Sequence, residues 1–147
     1  MNVDHYRKLE AMYLGAPINR LYRPTIAIGE GTAEVAIDVA PSFFHAAGAL
    51  HGSVYFKLLD DACFFAVNSL VEDVFVLTSS FTSYMTRPVT GGSLTARGRV
   101  VHSGKTLFLA EAEIVNSDGK SVGRGNGAFT RSRIALGPEI GYGEPAI

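Results

Sequence analysis

The chain has a single cysteine, Cys63, among 147 residues, and this scarcity excludes an intrachain disulfide framework. A lone cysteine suits a protein from a reducing compartment. The formal net charge is only −1, so composition creates no basic surface, and nucleic acid is not expected as a partner. The four histidines lack the spacing of a zinc site. We therefore expect neither a metal nor a bound cofactor.

Long hydrophobic runs are also lacking. No stretch reaches the roughly 18 consecutive apolar residues of a membrane span, so no membrane contact is expected. Charges interrupt the first fifteen residues, which therefore do not resemble a secretory signal, and we expect a soluble, cytoplasmic protein. Hydrophobic residues still make up 47% of the chain, with nine Phe and six Tyr. That is enough for one sizeable core, and the length predicts one domain.

The order of the hydrophobic patterns predicts an α+β fold. Residues 1–19 form a short N-terminal helix and its lead-in, two strands joined by "GEG" follow, and a long apolar helix covers 53–70. Four strands in hairpin succession then end the domain, and the Gly- and Pro-rich residues 135–147 are predicted to be a flexible tail. A helix that is apolar on most sides is buried on most sides. We therefore predict a long central helix wrapped by a curved antiparallel sheet.

Two adjacent acids interrupt this helix. On a helical wheel, Asp61 shares a narrow polar stripe with Lys57 and Asn68, which indicates a solvated helix edge. Asp60 instead lies among apolar positions such as Phe56 and Phe64, where desolvation opposes ionisation. A costly carboxylate in such surroundings is a candidate site residue. The alternative is that Asp60 caps a neighbouring backbone group or reaches water.

The start of the helix, "LHGS", is a second candidate site. Helix N-termini carry free N–H groups, and Gly52 would let a ligand approach the backbone closely. Such a terminus can bind an oxyanion, although His51 and Gly52 can equally be a spacer and a turn residue. Gly52 and Asp60 are about 12 Å apart along the helix. One reacting carbonyl therefore cannot touch both in one chain, whereas a two-fold dimer of antiparallel helices would bring them together.

Several motifs together resemble one family. A loop "GALHG" precedes a helix with an acid nine positions after the His, and "RP", "GGSLTARGRVVHSGK" and "AEIVNSDGKSVGRGNGAF" follow. Over about residues 20–133 the chain resembles hotdog-fold acyl-CoA thioesterases of the phenylacetate-degradation type, in the 4-hydroxybenzoyl-CoA thioesterase superfamily. The resemblance implies a hotdog domain over 20–134. It also implies an acyl-CoA substrate and a homodimer as the minimal active unit, with a homotetramer expected, in which two subunits share each site.

The resemblance also assigns roles to residues. Asp60 would act as general base or nucleophile, and the Gly52 N–H would polarise the thioester carbonyl, supported by His51. Thr78, eighteen positions after the acid, would hold the water or the carboxylate. The chain departs from the family pattern twice. Ser53 replaces the second Gly of "HGG", and His45 stands where the family often has Asn or Gln near the thioester.

The implied reaction is hydrolysis of an acyl-CoA to a free acid and CoA. The CoA phosphates would need a cationic rim, for which Arg87, His102, Lys105 and Arg124 are candidates; the alternative is that they are ordinary surface charges. Two rival functions remain open: a hotdog enoyl-CoA hydratase or dehydratase, and a non-catalytic acyl-CoA-binding protein.

Overall fold

The computed structural model describes residues 2–143. Two helices come first, α1 (Val3–Gly15) and α2 (Asn19–Tyr22), and a long helix α3 (Gly52–Asn68) follows the second strand. The strands are β1 (Thr25–Gly29), β2 (Thr32–Asp38), β3 (Val74–Met85), β4 (Ser93–Ser103), β5 (Phe108–Asn116) and β6 (Ser121–Ala135). Single 3-10 turns cover Pro41–Phe43 and Pro138–Ile140. No helix of residues 2–143 has the length and hydropathy needed to cross a membrane.

The six strands form one antiparallel sheet in the order β1-β2-β4-β5-β6-β3. The predicted hairpin succession of the last four strands is therefore wrong at its first step, because β3 pairs with β6 and not with β4. The connection over 86–92 bonds to residues near the start of α3 instead. The Leu50 N–H donates to the Val89 carbonyl at 2.8 Å, and the Tyr55 hydroxyl donates to the Arg87 carbonyl at 2.8 Å. These bonds hold the connection at the start of α3, and the chain then continues into β4, which lies beside β2.

Helix α3 contacts all six strands, so the sheet wraps around it. Leu58 and Leu59 on the helix are buried in the same core as strand residues such as Val35 and Ile114, and burial on several sides explains the nearly uniform apolar sequence of the helix. Alternation in β2 buries Ala33, Val35 and Ile37, as its period of two predicts. The α+β hotdog fold is confirmed, with a long central helix, a curved antiparallel sheet and a short N-terminal helix.

Helix and sheet touch through their backbones at one point. A Cβ at Gly98 of β4 would lie 2.5 Å from the Ala62 carbonyl group and 2.8 Å from the Cys63 nitrogen of α3. Only a residue without a side chain permits this approach. The contact fixes α3 on the sheet immediately after Asp60 and Asp61.

The glycines of "GRGNG" in β6 also allow close packing. Cβ atoms at Gly125 and Gly127 would lie within 2.6 Å of the Phe81 ring, which crosses β6 at these positions. The same ring packs edge-to-face against Phe56 of α3, with centroids 5.5 Å apart. The glycines therefore leave room for an aromatic contact between β3 and the helix.

Part of the segment predicted to be a flexible tail is ordered. The Leu136 N–H donates to the Asp73 carbonyl at 3.1 Å, and residues 138–140 form a helical turn. The Tyr142 hydroxyl lies 2.7 Å from His5 Nδ1 on α1. This order arises from contact with α1, which composition alone does not reveal. Residues 144–147 of the predicted tail lie outside the described residues.

Candidate active site

Asp60 lies on α3 and points toward β3. Its Oδ1 accepts a hydrogen bond of 2.8 Å from the Thr78 hydroxyl. Burial raises the pKa of the Asp60 carboxyl from 3.8 to about 6; the Thr78 hydrogen bond opposes the rise, the Asp61 charge adds to it and the Lys57 charge opposes it. The desolvated carboxylate expected from the sequence is therefore present. A carboxylate with this pKa is suited to accept a proton near neutral pH.

A cavity of about 680 Å³ opens beside this carboxylate, and we call it the Asp60 cavity. Its size falls in the range of small-molecule sites. Apolar side chains from five elements form most of its wall, while Asp60 and Thr78 supply polar atoms. The apolar lining residues are Met12, Ile18, Phe64, Phe65, Phe75, Leu77, Ile134 and Ile140. The arrangement places a proton acceptor at the surface of a space suited to an apolar group.

Asp61 has a different environment, and the prediction of a solvated helix edge is wrong. Its Oδ2 accepts hydrogen bonds from the Tyr13 hydroxyl at 2.6 Å and from Lys57 Nζ at 2.5 Å. The Asp61 and Lys57 side chains are only 17% and 12% exposed, because α1 and α2 cover this face. Asn68 is fully buried and its Oδ1 accepts from the Val76 N–H at 3.1 Å. The three polar residues thus fix neighbouring elements in place.

The start of α3 forms a separate small cavity of about 280 Å³, which His45, Gly52, Met85 and Arg87 help to line. His51 is the N-cap residue, and its Nδ1 accepts from the Ser53 N–H at 3.1 Å and lies 2.8 Å from the Ser53 hydroxyl. Within residues 2–143, the Gly52 N–H has no acceptor. A free N–H at a helix terminus can polarise a carbonyl oxygen.

The two parts of the predicted site do not meet in one chain. Asp60 and Thr78 line the Asp60 cavity, whereas Gly52 and His45 line the other. This separation agrees with the rise of about 12 Å along the helix from Gly52 to Asp60. His45 Nδ1 accepts from the Ala47 N–H at 3.1 Å and so stabilises its own loop.

The four candidate cations for CoA do not form one rim within the chain. Arg87 lies beside the Gly52 cavity. His102 lies at the opposite end of the sheet, since β4 begins near Arg87 and ends near Lys105. Arg124 is paired with Glu113 at 2.6 Å. Arg87 is the candidate cation that lines the same cavity as Gly52 and His45.

Sequence reasoning missed two contributors to the Asp60 cavity, the α1–α2 corner and the segment after β6. Met12 and Ile18 come from the first, and Ile140 comes from the second. Cys63 is buried in the core, and burial raises the pKa of its thiol well above the ordinary value. It is therefore a poor nucleophile. Among residues 2–143 no group of three or more His, Cys, Asp or Glu side chains could hold a metal ion.

Comparison with known proteins decides the family. The family model described as the thioesterase superfamily matches residues 47–122, which is more than half of the chain. The chain belongs to the thioesterase superfamily. Membership in this superfamily makes the protein a thioester hydrolase.

The chain is also similar to individual proteins of known sequence or structure. The acyl-coenzyme A thioesterase PaaI of Escherichia coli strain K12 is 34% identical over 98 residues, covering 66% of this chain and 69% of PaaI. The structure of the E. coli PaaI protein from the phenylacetic acid degradation operon has a TM-score of 0.82 at 28% identity, covering 90% of this chain and 96% of that one. A conserved protein of Pseudomonas aeruginosa has a TM-score of 0.74 at 28% identity, covering 80% and 94%.

Proposed function

We propose that this thioesterase hydrolyses acyl-CoA thioesters to a free acid and CoA, with Asp60 as general base or nucleophile. The observation that carries the proposal is the Asp60 carboxylate, with a pKa of about 6, at the wall of an apolar cavity and bonded to Thr78. The 34% identity to an acyl-coenzyme A thioesterase supports acyl-CoA as the substrate.

In the proposed reaction, the acyl group occupies the Asp60 cavity and the thioester carbonyl accepts a hydrogen bond from a Gly52 N–H. Asp60 either removes a proton from the attacking water or attacks the carbonyl itself to form an anhydride that water cleaves. In both routes the C–S bond breaks and CoA leaves as its thiol. Water, the thioester and the protein's own groups are sufficient, so the proposal includes neither a metal nor a cofactor.

The proposal further places each site between two copies of the chain. β3 is an edge strand, and among residues 2–143 no strand pairs with its free side. Leu77, Tyr84 and Met85 on this strand are exposed apolar residues, and long exposed edges of this kind are usually covered. Antiparallel pairing of two such edges would reverse their directions. The Thr78 region of one copy would then approach the Met85 region of the other.

This reversal would unite the two half-sites. Thr78 holds Asp60, and Met85 packs at Gly52, where a Cβ would lie 3.3 Å from the methionine methyl group. We therefore expect the homodimer to be the minimal active unit. We also propose a homotetramer as the larger assembly and the cytoplasm as its location. Two shared sites in each dimer follow from the two-fold symmetry.

Two variants test the shared site directly. Asp60→Asn removes the base. Gly52→Pro removes the N–H and adds a side-chain ring, and proline is well accepted at the first position of a helix. His51 already has the extended conformation that a residue before proline requires, with φ −65° and ψ 142°. The matched control Gly52→Ala keeps the N–H. We expect each test variant to lose most thiol release from acyl-CoA while Gly52→Ala retains it.

Mixing the two inactive chains then locates the site. If each site uses Gly52 from one copy and Asp60 from the other, the co-expressed mixture recovers about a quarter of wild-type activity, because half of its dimers carry one intact site of two. The heterodimer purified through two affinity tags recovers about half. No recovery in a purified heterodimer would place both groups in one chain. Hydration of an enoyl-CoA without thiol release would instead favour a hydratase, and binding without turnover a carrier.

A further inference from the structure

One wall of the Asp60 cavity is formed by the segment that follows β6. Glu139, Ile140 and Gly141 line the cavity together with the end of α1 and the Ile18 corner. These residues lie outside the matched family region of 47–122. The central helix and β3 thus supply the reactive acid, while peripheral segments close the space in which an acyl group would lie.

We propose that residues 136–142, the C-terminal wall, set the length of the acyl group that the Asp60 cavity accepts and that the cavity selects uncharged apolar acyl groups. This inference rests on the proposed acyl-CoA hydrolysis. Specificity for the acyl group then depends on the C-terminal wall for length and on the cavity lining for charge.

Hydrogen bonds hold the C-terminal wall at both ends. At its start, the Leu136 N–H donates to the Asp73 carbonyl at 3.1 Å. At its end, the Tyr142 hydroxyl lies 2.7 Å from His5 Nδ1, and His5 Nε2 lies 2.8 Å from the Asn68 carbonyl. A carbonyl only accepts, so Nε2 carries the proton and Nδ1 accepts from the tyrosine. His5 is only 1% exposed, which shields this end from competing water.

Between its ends the wall is compact. Pro138–Ile140 form a 3-10 turn, and the Tyr142 N–H donates to the Gly137 carbonyl at 3.1 Å. Gly141 has φ +86°, a conformation that favours glycine, and a Cβ there would lie 3.5 Å from Met12 Cα of α1. The wall is therefore seated directly on the α1 backbone. A wall that is fixed at both ends and packed in the middle can limit acyl length.

The charges around the cavity oppose an acyl group that carries a negative charge. Asp60, Asp61 and Glu139 are acids that line it, and Lys57 is the one basic side chain among its described lining residues. Lys57 Nζ is already bonded to Asp61 at 2.5 Å and lies over the Tyr13 ring at 5.2 Å. A terminal carboxylate would thus meet net negative charge without a free cation. Apolar acyl groups instead meet apolar lining residues such as Phe64, Phe75 and Leu77.

The test measures kcat/KM by thiol release for straight-chain acyl-CoAs from acetyl to dodecanoyl, with butyryl-CoA and succinyl-CoA as the pair that tests charge. Ile140→Ala should raise kcat/KM about tenfold or more for chains two or three carbons beyond the wild-type optimum, since one methylene in an apolar pocket changes kcat/KM by roughly 10–200-fold. Ile140→Phe should cut turnover of the longest wild-type substrates and retain acetyl-CoA. Opposite shifts of this kind cannot arise from poor folding.

Controls separate the wall from general effects. Val101→Ala shortens an exposed aliphatic side chain that does not line the cavity and should leave the length profile unchanged. Tyr142→Phe removes only the hydroxyl; as a positioning residue, Tyr142 should broaden the length profile when it is changed and leave the pH profile as it is.

The outcomes distinguish this inference from the proposed function. If the wild-type protein releases thiol from no acyl-CoA, acyl-CoA hydrolysis itself is refuted. If it hydrolyses acyl-CoAs but both Ile140 variants keep the wild-type length profile, the C-terminal wall does not select length. Equal kcat/KM for succinyl-CoA and butyryl-CoA would overturn the exclusion of charged acyl groups.

Discussion

Replacing Asp60 with asparagine should abolish thioester hydrolysis and, at the same time, stabilise the folded protein. The carboxylate is partly buried, and burial raises its pKa from 3.8 to about 6. A raised pKa means that the folded state disfavours the ionised form. Asparagine carries no charge and its Oδ1 can still accept from the Thr78 hydroxyl. The substitution therefore removes the penalty and keeps the hydrogen bond.

The size and pH range of this gain follow from the pKa. A rise from 3.8 to about 6 corresponds to about 3 kcal/mol in a closed site, and water that reaches part of the carboxylate reduces this to about 1–2 kcal/mol. The wild-type protein carries no penalty below pH 3.8, where the acid is protonated in both states. The penalty grows as the pH rises and is complete above about pH 6.

Urea denaturation of both proteins at pH 8 and at pH 4, at equal protein concentration, measures the difference. Asp60→Asn should be more stable by about 1–2 kcal/mol at pH 8, with a melting temperature roughly 2–8 °C higher, and nearly equal to wild type at pH 4. The matched control is Asp61→Asn, which weakens the bonds to Tyr13 and Lys57 and should destabilise the fold at pH 8. A loss of stability in both variants at pH 8 would refute the reasoning.

Three further predictions concern the same helix. In the wild-type enzyme, kcat/KM should rise with pH with a midpoint near 6 and fall to about a tenth of its plateau at pH 5, as measured by thiol release at low substrate. Thr78→Val removes a hydrogen bond that stabilises the Asp60 carboxylate, so the midpoint should move up by about one pH unit; an unchanged midpoint would contradict that bond. Gly98→Ala forces a side chain against the α3 backbone and should cost about 3 kcal/mol or more in urea denaturation. Gly91→Ala, with nothing within 4 Å, should cost much less.

Local patterns in the sequence predict most elements of the fold. The patterns give two strands before the long helix and four after it, as the structure has them, and the helix begins one residue and ends two residues from its predicted bounds. Which strands pair with one another is harder to predict from the sequence. β3 lies beside β6 because residues 86–92 bond near the start of α3, and no periodicity within either strand encodes that long-range choice.

The candidate site, too, could be predicted only in part. The raised pKa of Asp60 was predictable, because its neighbours on the helical wheel are apolar. The environments of Asp61 and Lys57 were not, since a wheel treats the outer face as solvent. Here that face is covered by Tyr13 and Tyr22, whose rings lie 5.2 and 5.1 Å from Lys57 Nζ. Contacts contributed by a distant segment leave no local signal.

The backbone contact at Gly98 has a consequence for how this protein can diversify. Where side chains separate two elements, replacing one side chain by another of different size allows the helix to shift. No side chain separates the two backbones where Gly98 meets Ala62 and Cys63. The middle of α3 is therefore fixed on the sheet, and this contact holds Asp60 in position when side chains around it are changed. Substitutions at Ile18, Ile134 or Ile140 can therefore reshape what is bound while the acid stays aligned, which makes the substrate range adjustable independently of the chemistry.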